Sequence, residues 1–252
     1  MNSLFEDFKS QSAKDWEEKI IADLKGKDFN SLISKDGVSP FYHQEIVNQN
    51  PPISKETTWH TCQFIDSTNT KKANEKALLA LSNDVSTLCF SNPNNLEILL
   101  KDISIEHIRI DFKNYSPDFV KKWADFIKNK TVNGAFHGIE NFSHPTFCST
   151  IFAKGKTVKE QIKDAFDKGK KEKGNIQFHF FIGENYFQEI AKLRAFRILW
   201  KEKTGKAPFI FAETATKNQQ KDNPYNNLIA STTALMSAIF GGADSILVNS
   251  YN

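Results

Sequence analysis

The stretch from Ile176 to Thr204, IQFHFFIGENYFQEIAKLRAFRILWKEKT, holds two periods back to back. Ile176 to Ile182 is a β-type run, nearly all apolar, with His179 alternating between Phe178 and Phe180. From Asn185 to Thr204 the pattern turns helical: Ile190, Leu193, Phe196, Ile198 and Leu199 form a packing face, and Arg194 and Arg197 are expected to anchor the helix to loops or to a partner. A strand followed by a helix of this length is the repeating unit of a parallel sheet.

Working outward, the same unit recurs. Strands are expected near Trp59–Ile65, Ser86–Ser91, His107–Lys113, Val132–His137, Thr146–Phe152, Phe209–Thr214 and Ser245–Ser250, besides the one at Ile176–Ile182. The clearest helices between them are Thr70–Ser82, Pro117–Asn129, Thr157–Lys170 and Pro224–Phe240, and the Gly241-Gly242 pair after the last reads as a C-cap. Eight strands alternating with helices predict a (β/α)8 TIM-type barrel of the α/β class, because each crossover helix has to cover the outer face. The eighth strand is followed by almost nothing, so the closing helix is expected to be missing or supplied by a later segment, on this or another polypeptide.

Within HIRIDFK, residues 107–113, Ile108, Ile110 and Phe112 alternate with His107, Arg109 and Asp111. The apolar set is expected to meet the helices, which points His107, Arg109 and Asp111 at the barrel axis, where aliphatic side chains usually fill the space. Either the lumen is wet or ligand-bearing, or Arg109 and Asp111 neutralise each other or reach solvent at a strand end. His179 is read as a buried, hydrogen-bonded imidazole or as a catalytic acid or base. Glu213 ends the seventh strand at its carboxyl side, where barrel active sites assemble, but a carboxylate there also suits loop amides. Phe211 and the Phe178 to Phe181 run are expected to plug the lumen.

Ahead of the barrel, residues 1–57 read as an arm, leaving 58–252 for the barrel. Phe5, Phe8, Trp16, Ile20 and Leu24 predict an amphipathic helix over Ala13–Lys25, stopped at Gly26. Pro40, Pro51 and Pro52 break any later helix, and Phe41 and Tyr42 need a surface to lie on.

Composition narrows the function classes. In 252 residues, 22 Phe and 4 Trp offset an apolar share of only 39%, so a folded core is expected rather than disorder. The net charge is +3, and the arginines are Arg109, Arg194 and Arg197, which argues against nucleic acid, whose recognition favours forked guanidinium groups on one basic face. No run approaches the roughly 18 to 20 apolar residues of a membrane span. Cys62, Cys89 and Cys148 match neither a zinc pair nor a disulfide framework, so a reducing, cytoplasmic setting is expected. The histidines, His43, His60, His107, His137, His144 and His179, show no metal-ligand spacing. Dinucleotide, P-loop and nucleophile-elbow motifs do not occur.

Three longer blocks carry a resemblance. FHFFIGENYFQEIAKLRAFRILW (178–200), DNPYNNLIASTTALMSAIFGGADS (222–245) and NSY (249–251) resemble, in order and spacing, the methylmalonyl-CoA mutase family. The likeness is strong over residues 176–252. The arm, with WEEKIIADLKGKDFNSL at 16–32, looks like the small, non-catalytic subunit of heterodimeric mutases. The resemblance implies an isomerase family that converts methylmalonyl-CoA to succinyl-CoA with adenosylcobalamin, threading the acyl-CoA along the barrel axis. It also implies that this chain is a subunit without catalytic residues. Phe211 stands where catalytic chains carry a substrate-contacting histidine, Glu213 where they carry glutamine, and Leu247 and Thr150 at two further histidine positions. The Asp-x-His-x-x-Gly cobalamin signature is absent from the 252 residues, so no cofactor is expected to bind this chain alone. The expected partner is a catalytic large subunit, and the expected substrate-facing residues at the axis are Arg109, His179, Phe211, Glu213 and Asn249. The rival expectations are an independent barrel enzyme using His179, Glu213, Arg109 and Asp111, and a scaffold that binds an acyl-CoA without reacting it.

Overall fold

A computed structural model describes residues 9–33, 58–138, 144–217 and 219–250. They fall in two compact units, Met1–Pro52 and Ile53–Asn252. In the first, helix α1 spans Ala13–Asp23, opened by a capping box in which Ser12 and Asp15 satisfy each other's backbone N–H groups. A 3₁₀ turn follows at Phe29–Leu32, a stretch whose sequence predicts no element. None of the residues in these two elements is buried. Phe5, Phe8, Pro40, Phe41, Tyr42, His43, Pro51, Pro52 and Tyr251 lie outside the described residues.

The second unit is a closed barrel of eight parallel strands in sequence order. They are β1 (His60–Asp66), β2 (Thr87–Ser91), β3 (Arg109–Lys113), β4 (Asn133–His137), β5 (Phe147–Phe152), β6 (Ile176–Ile182), β7 (Ile210–Thr214) and β8 (Ser245–Leu247). The connecting helices are α2 (Thr70–Leu81), a single turn α3 (Leu96–Leu99), α4 (Pro117–Phe126), α5 (Val158–Gly169), α6 (Tyr186–Thr204) and α7 (Pro224–Gly241). Their starts are written locally. Asn69, Asn95, Ser116, Thr157 and Asn185 each accept a backbone N–H of the first turn, and Pro117 and Pro224 occupy first-turn positions whose N–H would otherwise be unpaired. α7 ends at Gly242, left-handed at φ 82°, the C-cap the sequence predicts.

Three expectations need correction. The third strand begins at Arg109, because residues 105–107 wind into a 3₁₀ turn; His107 is therefore exposed and does not reach the axis. The eighth strand ends at Leu247, leaving Asn249 in the segment beyond it. α4 stops at Phe126, three residues early.

Alternation along each strand divides the barrel into an outer apolar layer and an inner polar one. Outward side chains of β1–β5 (Ile65, Leu88, Phe90, Ile110, Phe112, Phe136 and Phe147) pack with Ala73 and Ala77 of α2 and with Phe119 and Trp123 of α4. Those of β5–β8, including Ile151, Phe178, Phe180, Ile210 and Ile246, pack with Leu193, Phe196 and Trp200 of α6 and with the small residues Ala234 and Ala238 of α7. Arg194 and Arg197 anchor α6 within the chain: Arg194 Nε donates to Phe240 O at 2.9 Å, and Arg197 donates to Gly242 O at 2.5 Å and Asp244 Oδ2 at 2.6 Å. Among the described residues no helix is long and apolar enough to cross a membrane.

Candidate functional site

The register decides which residues share the lumen. Cys89 pairs with Asp111, Asp111 with Ala135, His137 with Thr150, Thr150 with Gln177, Phe152 with His179, His179 with Phe211, and Phe211 with Ser245. This ring faces inward, so Arg109, Asp111 and Lys113 of β3, His137 of β4, Gln177 and His179 of β6, and Phe211 and Glu213 of β7 converge on one axis.

They bond to one another. Arg109 Nε lies 3.1 Å from Asp111 Oδ1, and a terminal guanidinium nitrogen of Arg109 donates to Gln177 Oε1 across the lumen. Gln177 Nε2 donates to Thr150 Oγ1 at 2.9 Å and to Asp111 Oδ2 at 3.4 Å. His137 Nε2 lies 2.9 Å from Asp111 Oδ2, and its Nδ1 lies 3.3 Å from His179 Nδ1. His179 Nε2 lies 3.1 Å from Glu213 Oε2. Lys113 Nζ donates to the same Oε2 at 2.6 Å, and Asn249 Nδ2 donates to Oε1 at 3.1 Å. The ion pair expected as one reading of Arg109 and Asp111 is present, and both side chains are buried away from solvent.

Aromatic rings close the remaining space. Phe211, fully buried, lies with its centroid 4.8 Å from His137 and 5.0 Å from His179. Phe152 stacks on His179 at 4.6 Å, and Phe209 lies 4.2 Å beneath the Arg109 guanidinium. The expected aromatic plug thus exists with a different membership. Phe178 and Phe180 point outward into the helix layer, as period-2 alternation requires. Phe181 flanks His179 at 4.7 Å and is 46% exposed at the barrel mouth.

Burial and charge set the protonation states. For His179, burial is the largest influence and holds the imidazole down to about 4. His137 is lowered for the same reason, against the pull of Asp111. Burial by itself raises both carboxylates. At Asp111 the Arg109 charge and the hydrogen bonds from His137 and Gln177 outweigh it, so the group stays below its ordinary value. At Glu213 the His179 ring and the Lys113 ammonium prevail, and the carboxyl titrates at about 2.

All five residues expected at the axis are thus in one network, with Asn249 reaching it through Glu213. Lys113, His137 and Gln177 belong to the network and are not among the residues that sequence reasoning selects. Lys113 and Gln177 had a readable signal, since each lies two residues from an expected axial side chain on the same strand face. His137 had none beyond its place in a short strand. As arranged, the lumen can hold charge and relay protons internally; Arg109 is 7% exposed, Asp111 and His179 not at all. Among the described residues no group of three His, Cys, Asp or Glu is placed to hold a metal ion.

Comparison with known proteins adds lineage. The family model for methylmalonyl-CoA mutase matches residues 153–252. The methylmalonyl-CoA mutase small subunit of Porphyromonas gingivalis is 25% identical over 97% of this chain and 54% of its own length. The methylmalonyl-CoA mutase of Rhizobium meliloti is 38% identical over 31% of this chain and 12% of its own, and the mitochondrial enzyme of Bos taurus 36% over the same shares. The chain therefore spans about half the length of its small-subunit relative. Among solved structures, dihydropteroate synthase from Thermus thermophilus superposes with a TM-score of 0.46 at 10% identity, over 78% of this chain and 90% of that one. The mutase signature thus runs from residue 153 onward, and the likeness to a mutase small subunit extends along nearly all of this chain.

Proposed function

We propose that this chain is the arm and barrel of a mutase small subunit that supports a catalytic large subunit and does no chemistry itself. The observation that carries this reading is Phe211. Its ring occupies the axis between His137 and His179 with no exposed surface, and it can neither donate to a thioester carbonyl nor leave room for an acyl chain. Substrate-facing roles for Arg109, His179, Glu213 and Asn249 would require these groups to give up the bonds they make to one another.

Adenosylcobalamin, the cofactor such a holoenzyme would use, supplies radical generation when bound. The two axial imidazoles do not fit a cobalt ligand, because His137 and His179 are walled in by Asp111, Glu213 and aromatic rings. The cofactor belongs to the partner in this reading. Residues 1–57 form the arm and 58–252 the barrel. The arm is the natural candidate to meet the large subunit: α1 buries none of its own residues and leaves Ile21 53% exposed, and an 11-residue helix is marginal by itself. Cys62, Cys89 and Cys148 are free thiols, in keeping with a reducing cytoplasm.

The test is reconstitution. The purified chain should show no turnover of methylmalonyl-CoA with added adenosylcobalamin, and should co-sediment with a large subunit of the family. Turnover by the chain alone, or failure to associate with any large subunit from the same genome, rejects the reading.

A further inference from the structure

The axial chain Asp111–His137–His179–Glu213 has three contacts, each at hydrogen-bond distance and each needing one proton. Two neutral imidazoles bring two protons. One contact must therefore go without, and the geometry selects which.

Asp111 Oδ2 relies on His137, because its other donor, Gln177, is 3.4 Å away; a bare His137 Nε2 facing that carboxylate at 2.9 Å would set lone pair against charge in a fully buried place. The Nδ1–Nδ1 contact at 3.3 Å is aligned as a hydrogen bond and so takes the second proton. Glu213, by contrast, is served by Lys113 at 2.6 Å and Asn249 at 3.1 Å without any imidazole proton. Consistently, His179 Nε2 is buried with no aligned hydrogen-bond partner although Glu213 Oε2 is 3.1 Å away. His137 thus carries its proton on Nε2 and His179 carries its own on Nδ1.

We propose that His179 Nε2 is an unfilled proton position at the centre of the barrel, and that proton uptake there draws Glu213 from Lys113 to the imidazolium. Every neighbouring charge bears on this step. From β3 Lys113 opposes it directly, while Arg109 and Asp111 act through Gln177 and His137; from β4 comes His137, from β7 Glu213 with Asn249 behind it. The other neighbours, Phe152, Phe181 and Phe211, are apolar rings. Lys113 is the group released, and its Nζ already lies 5.9 Å from the ring of Phe64, which is 40% exposed at the mouth. The device is a proton-driven handover of one carboxylate between two cations, and it stands whether or not the chain serves a mutase.

The experiment is long-range ¹H–¹⁵N NMR of the imidazoles in the uniformly labelled full chain, with a His179→Gln variant for assignment. At neutral pH the His179 ring should carry its proton on Nδ1 and the His137 ring on Nε2; on acidification His179 should gain a second proton while near-ultraviolet circular dichroism still reports a packed barrel. Lys113→Met, which removes the competing cation, should raise the proton affinity of His179 about tenfold. A proton on His179 Nε2 at neutral pH, protonation only together with loss of the circular dichroism signal, or an unchanged affinity in a folded Lys113→Met variant each overturns the proposal. The tautomer reading uses the unmodified chain and so does not depend on any variant folding.

Discussion

His179 and Glu213 respond to acid in the same direction, which makes the barrel's pH dependence predictable. A histidine held down to about 4 in the folded chain, against 6.5 ordinarily, binds a proton more readily when unfolded. Its contribution is complete above pH 6.5 and is lost as the pH falls toward 4, an amount of about 3 kcal/mol. Glu213, at about 2 against 4.5, adds a second loss between those values. Urea unfolding midpoints should therefore drop as the pH is lowered below 6.5, and His179→Gln should flatten the upper part of that slope; a flat midpoint from pH 7 to 5 contradicts the assignment. Gly134 gives a steric counterpart. A Cβ there would lie 1.8 Å from the backbone oxygen of Ile110 and 2.4 Å from the Phe147 ring. Gly134→Ala should cost about 3 kcal/mol or more, read by the same urea titration, because a backbone oxygen held in the β3–β4 ladder cannot step aside. Neither Gly134 nor His137 announces its role in the sequence, since each depends on what the neighbouring strand places opposite.

At the scale of elements, the helices show most plainly how far local chemistry reaches. Caps at Ser116, Thr157 and Asn185 and the glycine after α7 place the ends of four helices within three residues of where the sequence predicts them. The single-turn helix α3 is the kind of element that propensity misses, because four residues carry too little periodicity. On α6 only Leu193 and Phe196 of the expected face are buried, joined by Trp200, while Ile190, Ile198 and Leu199 stay half-buried; the same helix buries Glu189 and Lys192, which pattern reading leaves in solvent. Lys192 Nζ pairs with Glu189 and donates to Phe181 O at 2.9 Å and Gln161 Oε1 at 3.1 Å, tying α5, β6 and α6 at one point. Lys192→Met leaves the carboxylate of Glu189 buried without its cation and should cost about 3–5 kcal/mol, whereas Lys192→Met combined with Glu189→Leu should recover most of that loss. Chemical denaturation of the two variants separates the outcomes; equal losses would mean that the pair contributes through packing rather than charge.

At the scale of the molecule, the barrel is closed by strands and filled by side chains. Two bonds cross it from β3, Arg109 to Gln177 and Lys113 to Glu213, and Phe211 sits between the histidines. Phe211→His would place an imidazole at that position without emptying the axis, because the Glu213, His137 and Arg109 bonds remain. That variant, assayed alone with methylmalonyl-CoA and adenosylcobalamin, should show no turnover; measurable succinyl-CoA would overturn the non-catalytic reading.

The amino-acid sequence by itself determined the number and order of the strands, the longer helices, the two-faced pattern of β3 and the likeness to mutases from residue 153 onward, because alternation, capping and long motifs are written along the chain. Only the tertiary structure decided that Arg109 meets Gln177, that Lys113 meets Glu213 and that His137 meets His179, pairs separated by 68, 100 and 42 residues. The reason is closure. Period 2 sorts side chains into inside and outside, but which inside groups face one another depends on the stagger with which eight strands join into a ring, and that stagger is a property of the whole sheet.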